Sequence, residues 1–283
     1  MANTIITAEK FLPIIDRLYK KASLTSILDS TIIPDFSGVN TVKVMKVSTT
    51  GLGDYSKQNG YAKGNVSLSW EPFALTEDRS AQLEVDRMDD EEALSMAFGA
   101  ATKIFMNENV APEIDAYRFS KYAKQAGISS ATGTLADGAA VVSAVRGAIT
   151  AMDEDEISAE DRYLFITPTL YGAVQDLDTT KSKEVFKRFA GIIEVPQTRF
   201  YTDITLNSGA DAFGFTKGAD AKDINFLAVS KAAVIQAVKL ALPKIFDPDT
   251  NQDKDAWKFQ YRHYHDAFVM ENKVKGLYLH TKA

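Results

Sequence analysis

The sequence predicts an α+β protein, and three patterns carry that prediction. An alternating, glycine-punctuated segment covers residues 40–87, a helical pattern of unusual length covers residues 88–126, and residues 241–283 alternate again. Strands place successive side chains on opposite faces, whereas helices repeat about every 3.6 residues, so the change of period separates extended parts from helical ones. The middle of the chain mixes both periods and predicts a compact unit of helices and strands.

Composition sets outer limits on function. The chain has 283 residues, of which 45% are hydrophobic and 25% are charged, as is ordinary for a soluble globular protein. Cysteine is absent, which excludes disulfides, thiolate nucleophiles and Cys-bound zinc. The formal net charge of -6 excludes a globally basic surface for nucleic acid. No apolar run approaches the roughly 18 residues of a membrane span, so we expect neither a membrane partner nor a signal peptide.

Residues 1–40 are predicted to form an N-terminal arm. Apolar side chains recur there at helical spacing, at Phe11, Ile14, Ile15, Leu18, Tyr19, Leu24, Ile27 and Leu28. This pattern is typical of an amphipathic helix that packs on another surface. Basic residues fill the gaps, but Glu9 and Asp16 dilute their charge, so a solvated face is favoured over a phosphate contact.

Residues 41–87 are predicted to form an extended two-stranded loop. Val66–Glu71 and Ala81–Asp86 each alternate apolar and polar side chains, as strands with one buried face do. Asn59–Gly60 is a dipeptide typical of hairpin turns. A lone two-stranded arm is only marginally stable in water, because nothing covers its apolar face. We therefore expect another molecule to cover it, which predicts a protein that assembles.

Residues 88–127 are predicted to form one long helix. Its first turn contains the acidic run 89–92, and carboxylates there satisfy open N–H groups and oppose the positive end of the helix dipole. This role is favoured over paired catalytic carboxylates, which need a cleft. Pro112 removes one helical hydrogen bond and predicts a kink near residues 109–112, with two helices meeting at Pro112 as the alternative.

Residues 128–240 are predicted to form the compact α/β or α+β unit. The patterns place a helix over residues 138–152, a strand over 162–166 and a strand over 224–229. Thr167 is typical of a helix N-cap and Pro168 of the first helical position, so a short helix is predicted to begin there and to continue to Leu177. Beyond this unit, Trp257–Asp266 and Val274–His280 are predicted to be two long strands.

No motif in the sequence demands an enzyme or a cofactor. Phosphate-binding loops, dinucleotide fingerprints and the signatures of zinc proteases and serine hydrolases do not occur. His263 and His265 share one face of a predicted strand, a spacing that metal sites use. That face also carries aromatic side chains, so packed or hydrogen-bonded histidines are favoured over a metal-dependent enzyme, which remains the alternative.

The order of these parts resembles that of the major capsid protein of tailed bacteriophages, a shell fold shared with encapsulin nanocompartments. The matching stretches lie along nearly the whole chain, at Leu75–Asp89, Val110–Arg118, Tyr163–Pro168, Phe259–Phe268 and Lys273–Tyr278. In that family they correspond to the return strand of the extended loop, the middle of a spine helix, a strand-to-helix step in the axial domain, and a C-terminal pair of strands.

The resemblance implies an architecture and a function. The parts are an N-terminal arm (1–40), an extended loop (41–87), a spine helix of the peripheral domain (88–127), an axial domain (128–240) and C-terminal strands of the peripheral domain (241–283). The implied function is self-assembly, in the host cytoplasm, of hexamers and pentamers into the icosahedral virion capsid around double-stranded DNA. An encapsulin-type compartment around a cargo enzyme is the alternative. Separate scaffolding, portal and decoration proteins are implied partners, and an acidic chain should touch packaged DNA only weakly.

Two groups of side chains are expected at contacts between subunits. The aromatic ones lie in the extended loop: Tyr55, Tyr61, Trp70 and Phe73. The charged ones lie near its base and are expected to form ion pairs: Arg79, Asp86 and Arg87. The alternative is that Trp70 and Phe73 pack within their own subunit and that the charges are merely solvated.

Overall fold

The structure, a computed structural model, describes residues 23–29, 36–37, 40–58, 60–92, 97–177 and 180–283. Within these ranges it is an α+β fold, as the sequence predicts, and the structure adds that it has several sheets with a helix packed between them. The arm helix predicted around Phe11 to Tyr19 lies outside the described residues. Leu24 and Leu28, at the end of that pattern, pack against the main core.

A three-stranded sheet forms an exposed ribbon. It contains β1 (Phe36–Ser37), β2 (Thr41–Thr49) and β3 (Val66–Ala74), and we call residues 41–74 the ribbon. The chain turns back between Ser56 and Gly60, whose backbone groups exchange hydrogen bonds of 3.1 and 2.7 Å. Gly60 has a φ of 77°, a left-handed conformation that glycine adopts without steric cost. The glycine of the predicted hairpin dipeptide therefore does lie in a turn.

The second sheet joins the segment after the ribbon to the C-terminal part of the chain. β4 (Glu77–Asp86), β12 (Ala256–Val269) and β11 (Val234–Phe246) pair antiparallel in the order β11–β12–β4. The prediction that Ala81–Asp86 is a strand of the two-stranded loop is therefore wrong, because β4 pairs with β12 and β3 pairs with β2. Alternation correctly indicated one buried face, but it carries no information about which strand supplies the partner.

A long helix packs on the inner face of this second sheet. α1 (Arg87–Glu92) follows β4, and a continuous helix then runs through α2 (Ala97–Ile104), a π-helical segment (Phe105–Val110) and α3 (Ala111–Lys124). The irregularity predicted near residues 109–112 is this π segment. The N–H of Ala111 bonds to the carbonyl of Met106, five residues back, so the regular ladder is already interrupted where Pro112 lacks its N–H. No helix in the described ranges is long and apolar enough to cross a membrane.

A five-stranded sheet forms the centre of the molecule. Its strands, in order, are β5 (Ser129–Thr132), β13 (Leu277–Thr281), β10 (Ile224–Ser230), β6 (Arg162–Ile166) and β7 (Gly191–Glu194). The helices on one face are α4 (Gly138–Glu154), α5 (Pro168–Gln175) and α6 (Thr180–Phe186), and α3 covers the other face. β10 is buried along its whole length, as expected for a strand covered on both sides. The elements predicted for residues 138–229 are confirmed.

The last strand belongs to this central sheet. β13 pairs antiparallel with β10 and parallel with β5, so the prediction that it forms a C-terminal pair with β12 is wrong. A 3₁₀ segment, Glu271–Gly276, carries the chain from one sheet to the other. A Cβ at Gly276 would lie 2.7 Å from the Cβ of Ala233, so close packing at this crossing requires glycine.

A short hairpin closes the space beside β4. It consists of β8 (Ile204–Leu206) and β9 (Phe215–Lys217). Arg79 on β4 donates hydrogen bonds to the carbonyls of Asn207 (2.7 Å) and Gly214 (3.3 Å), and its Nε lies 2.6 Å from Glu113 Oε1 on α3. One guanidinium therefore joins the hairpin, the second sheet and the long helix.

Candidate assembly surface

The ribbon has one apolar face and one polar face, and the apolar face is uncovered. The register of β2 and β3 places five apolar side chains on the same face: Met45, Val47, Val66, Leu68 and Trp70. Their relative exposures run from 48% at Val47 to 68% at Val66, so the described part of the chain leaves them open to water. Scattered exposed apolar residues are ordinary, whereas a contiguous group of them marks a site of interaction. We call these five side chains the apolar face.

The polar face is turned toward the ribbon's own subunit. Lys46 Nζ forms an ion pair of 3.2 Å with Glu271 Oε2, and Glu71 Oε1 accepts a hydrogen bond of 3.3 Å from the backbone N–H of Glu271. Farther out, the hydroxyls of Ser48 and Ser67 lie 2.6 Å apart. Because opposite faces of a strand point in opposite directions, these contacts leave the apolar face directed away from the subunit.

Two of the expected contact residues lie at the tip of the ribbon. Tyr55 and Tyr61 meet edge to face, with ring centroids 5.2 Å apart. The pair remains exposed, at 63% for Tyr55 and 87% for Tyr61. Tyrosine combines a large apolar ring with a hydroxyl and is enriched at interfaces between proteins. The tip therefore offers a second exposed aromatic surface.

The other two aromatic residues differ from each other. Trp70 lies on the apolar face and is more than half exposed. Phe73 instead stacks on Phe268 of β12, with ring centroids 4.8 Å apart, in a cluster with the buried Val42 and Leu75. Phe73 thus follows the alternative considered above, since it packs within its own subunit and anchors the root of the ribbon.

The charged residues near the ribbon base have partners in their own chain. Arg79 binds Glu113, as described, and Arg87 forms ion pairs with Asp249 and, at 3.1 Å, with Asp255. The Asp86 carboxylate accepts a hydrogen bond of 2.9 Å from the N–H of Met88, as a capping residue does, and is exposed. Their participation in ion pairs between subunits stays a prediction.

The histidine pair lies in the core. His263 and His265 are buried on the inner face of β12, with ring centroids 4.4 Å apart. Burial lowers the pKa of His263 to about 3, and the positive charge of Arg118 adds to the effect. Burial likewise lowers the pKa of His265, helped by His263 and nearby cations. Across the described ranges no group of three or more metal-ligating side chains occurs, so nothing there completes a metal site around this pair.

A cavity of about 440 Å³ lies beside the histidines, between the long helix and β4. Its walls are largely apolar, with Phe105, Val110 and Ile114 from the helix. The Arg79 guanidinium in its lining is neutralised by Glu113.

The sequence predicted the apolar face only on the β3 side, where Val66, Leu68 and Trp70 alternate with polar residues. Met45, Val47, Val66 and Leu68 were not among the expected contact residues. A signal was present at Val44 and Met45, where two adjacent apolar residues interrupt the alternation of β2. Val42 and Val44 pack at the ribbon root, whereas Met45 and Val47 lie on the opposite face, so the interruption marks the point where the apolar residues pass from the buried face to the uncovered face.

Comparisons with known proteins identify the fold. No protein-family model matches the sequence, and the comparison with curated proteins finds no match. The capsid of cyanophage P-SCSP1u matches with a TM-score of 0.62 and 15% identity over 90% of this chain and 86% of that chain. A virus-like particle from Pyrococcus furiosus matches with a TM-score of 0.60 and 12% identity over 97% of this chain and 99% of that chain. The capsid of Myoviridae phage XM1 matches with a TM-score of 0.58 and 11% identity over 93% of this chain and 92% of that chain. The chain therefore has the fold of phage capsid proteins.

Proposed function

We propose that this chain is the major subunit of a phage capsid and self-assembles into an icosahedral shell that encloses double-stranded DNA. The observation that carries the proposal is the uncovered apolar face of the ribbon. A two-stranded ribbon is marginally stable while one apolar face meets water, and neighbouring copies of the same chain supply the missing cover. The capsid-protein fold over most of the chain supports the same function.

The exposed area is consistent with a subunit that is completed by its neighbours. A compact protein of 31.1 kDa exposes roughly 12,000 Å², whereas this chain exposes 16535 Å². The excess, roughly 4,500 Å², is about what the subunit's share of several large permanent interfaces amounts to. Burial of such area between copies stabilises a shell without any disulfide, which a cysteine-free chain cannot form.

The acidic charge fits a container for DNA. With a net charge of -6, the chain gains little from counterion release at phosphates, so the proposed contact with packaged DNA is weak. In this proposal hexamers and pentamers assemble in the host cytoplasm, with scaffolding, portal and decoration functions supplied by separate proteins. The shell itself performs no catalysis.

Substitutions on the two faces of β3 test the proposal. Leu68→Ser with Trp70→Ser removes two large side chains of the apolar face that are already exposed, so the subunit should keep its melting temperature within a few degrees. Assembly should fail, as seen by electron microscopy and sedimentation. Ser69→Ala, on the polar face between them, is the matched control and should form normal particles. Full-sized shells from the double variant would refute the role of the apolar face.

Removal of the ribbon tip gives a coarser test. Deleting residues 51–64 should leave a folded subunit, because the ribbon root packs through Val42, Phe73 and Leu75. That subunit should sediment as a small species at all concentrations. If it still forms full-sized particles, the ribbon is not needed for assembly.

An encapsulin-type compartment is the alternative raised by the sequence, and the matched structures favour it less than a phage capsid. The matched phage capsids favour DNA as the content. Particles isolated from the native source separate the two functions. Nuclease-protected DNA with packaging proteins, detected by mass spectrometry, supports the capsid, whereas a co-purifying enzyme and no protected DNA would support the compartment.

A further inference from the structure

The ribbon is joined to β4 by a two-residue junction that hydrogen-bonds to one buried carboxylate. Asp266 on β12 is 1% exposed, and its Oδ2 accepts hydrogen bonds from Thr76 N (3.1 Å) and Thr76 Oγ1 (2.9 Å). The adjacent carbonyl of Leu75 accepts a hydrogen bond of 2.9 Å from Tyr264 Oη, also on β12. Both residues between β3 and β4 are therefore fixed to the same strand.

The second oxygen of the same carboxylate binds the long helix. Asp266 Oδ1 accepts hydrogen bonds from Tyr117 Oη on α3 (2.8 Å) and from Ala267 N (2.7 Å). Lys121, one helical turn beyond Tyr117, places its Nζ 3.7 Å away. Burial is the main cause that raises the pKa of Tyr117 above its usual range, so its hydroxyl stays protonated and remains a donor. Asp266 thus connects the ribbon junction, the second sheet and α3.

We propose that Asp266 is the positioning residue that sets the direction of the ribbon relative to the long helix. Rotation of the ribbon about Leu75 and Thr76 breaks the hydrogen bonds to Oδ2, while those to Oδ1 keep the carboxylate fixed on α3. At about 3.3 Å per residue, a nine-residue strand spans about 30 Å, so a rotation of about 10° moves its far end by about 5 Å. Such a displacement equals the spacing of neighbouring strands and changes which groups the apolar face meets.

The direction of the ribbon can be measured in an isolated subunit, so the proposed role of Asp266 in setting that direction does not depend on assembly. Its consequence for shell geometry rests on the proposed function. The measurement is therefore made in the Leu68→Ser, Trp70→Ser background, which keeps subunits apart. Because the chain contains no cysteine, Lys63→Cys near the ribbon tip and Asp220→Cys on the main body give two unique spin-label sites.

Asp266→Asn is the decisive substitution, because it keeps the shape of the side chain but directs an amide donor at groups that are themselves donors. We expect a single narrow distance distribution between the labels in the parent and a distribution at least twice as broad in the variant. Asp115→Asn is the matched control. Asp115 lies on α3 and, like Asp266, is a buried carboxylate, but it binds residues 23–25 and not the ribbon junction. Its distribution should stay narrow.

Thr76→Val provides an independent variant if Asp266→Asn does not fold. It removes the hydroxyl bond to Oδ2 and leaves the contact with Tyr117 in place, and we expect partial broadening. Narrow distributions in every variant that folds would overturn the proposal. With the native ribbon restored, Asp266→Asn should give irregular or open particles while Asp115→Asn gives closed ones. If Asp266→Asn broadens the distance distribution but still gives regular shells, the link to shell geometry is overturned and the role in setting the ribbon direction stands.

Discussion

Asp115 and Asp266 connect parts of the chain that are far apart in sequence. Asp115, fully buried on α3, accepts hydrogen bonds from Ser23 Oγ (2.8 Å) and Thr25 Oγ1 (2.6 Å) and lies 3.2 Å from Arg199 Nη1. A buried carboxylate is unfavourable unless its lone pairs are satisfied. These donors satisfy it, and in return the carboxylate fixes residues 23–28 on the long helix. At the scale of single residues, buried acids therefore hold segments that are distant in sequence on the long helix.

Asp115→Ala should lower the free energy of unfolding by roughly 3–5 kcal/mol, because the buried Ser23 and Thr25 and the partly buried Arg199 lose their shared partner. Urea denaturation followed by circular dichroism measures the loss. Asp78→Ala is the control: its carboxylate pairs with Arg262 on the surface, at 2.9 Å from Nε, and exposed pairs contribute at most about 1 kcal/mol. Equal losses in the two variants would contradict the assigned role.

The buried histidines should make stability depend on pH. The folded pKa of His263, about 3, lies below the ordinary value of 6.5, so the unfolded chain binds a proton that the folded chain does not. The stability gained by keeping it neutral is complete above about pH 6.5 and is lost as the pH falls from about 6.5 toward about 3, by up to about 1.4 kcal/mol per pH unit.

His263→Phe should therefore flatten the pH dependence of the free energy of unfolding between about pH 7 and about pH 5, where most carboxylates stay ionised. Urea titrations of both proteins at several pH values give the two slopes. Parallel curves would show that His263 does not contribute.

At the scale of elements, helix packing around the central sheet depends on one close approach. α4 begins at Gly138, after Asp137, whose side chain accepts a hydrogen bond of 2.8 Å from Ala140 N. A Cβ at Gly138 would lie 2.1 Å from the carbonyl oxygen of Ala173 on α5. That distance is impossible between non-bonded atoms, so the two helices touch through their backbones only because this residue is glycine.

Gly138→Ala should destabilise the subunit by roughly 1–3 kcal/mol or more, because α5 must move to accommodate the methyl group. Gly147→Ala lies in the same helix with nothing within 4 Å of its added Cβ, and it should stabilise by up to about 1 kcal/mol through helix propensity. Opposite shifts of melting temperature are expected. Shifts of the same sign would mean that the α4–α5 contact is looser than described.

At the scale of the whole molecule, apolar burial favours the association of copies and the net charge opposes it. Each copy carries a net charge of -6, so copies repel one another while their apolar faces favour association. Salt screens the repulsion and strengthens apolar association little at moderate concentration. The balance can therefore be shifted without altering any residue.

Raising NaCl from about 0.1 to about 1 M, which shortens the Debye length from about 10 to about 3 Å, should lower the subunit concentration needed for assembly several-fold. Light scattering during a dilution series measures that concentration. The Leu68→Ser, Trp70→Ser subunit should remain unassembled at every salt concentration. A concentration that rises with salt would instead indicate that ion pairs hold the shell, as expected above for Arg79, Asp86 and Arg87.

Local sequence patterns predicted the type and order of most elements. Periodicity is local, so it predicted the strands at 162–166 and 224–229, the helix at 138–152 and the long helix, and Pro112 predicted the irregularity before it. The observed elements end within two residues of these bounds. Periodicity also identified Trp70, Tyr55 and Tyr61 as residues of an exposed extended segment, because their surroundings alternate and contain glycine.

The tertiary structure alone decided which strands pair and which side chains are left uncovered. β4 joins β12, β13 joins β10, Phe73 packs on Phe268, and Arg79 and Arg87 bind acids of their own chain. A strand's hydrogen-bonding groups are the same whatever its sequence, so its partner is chosen by long-range packing that no local pattern records. For the same reason the continuation of the apolar face onto β2 became visible only once Met45 was found opposite Trp70.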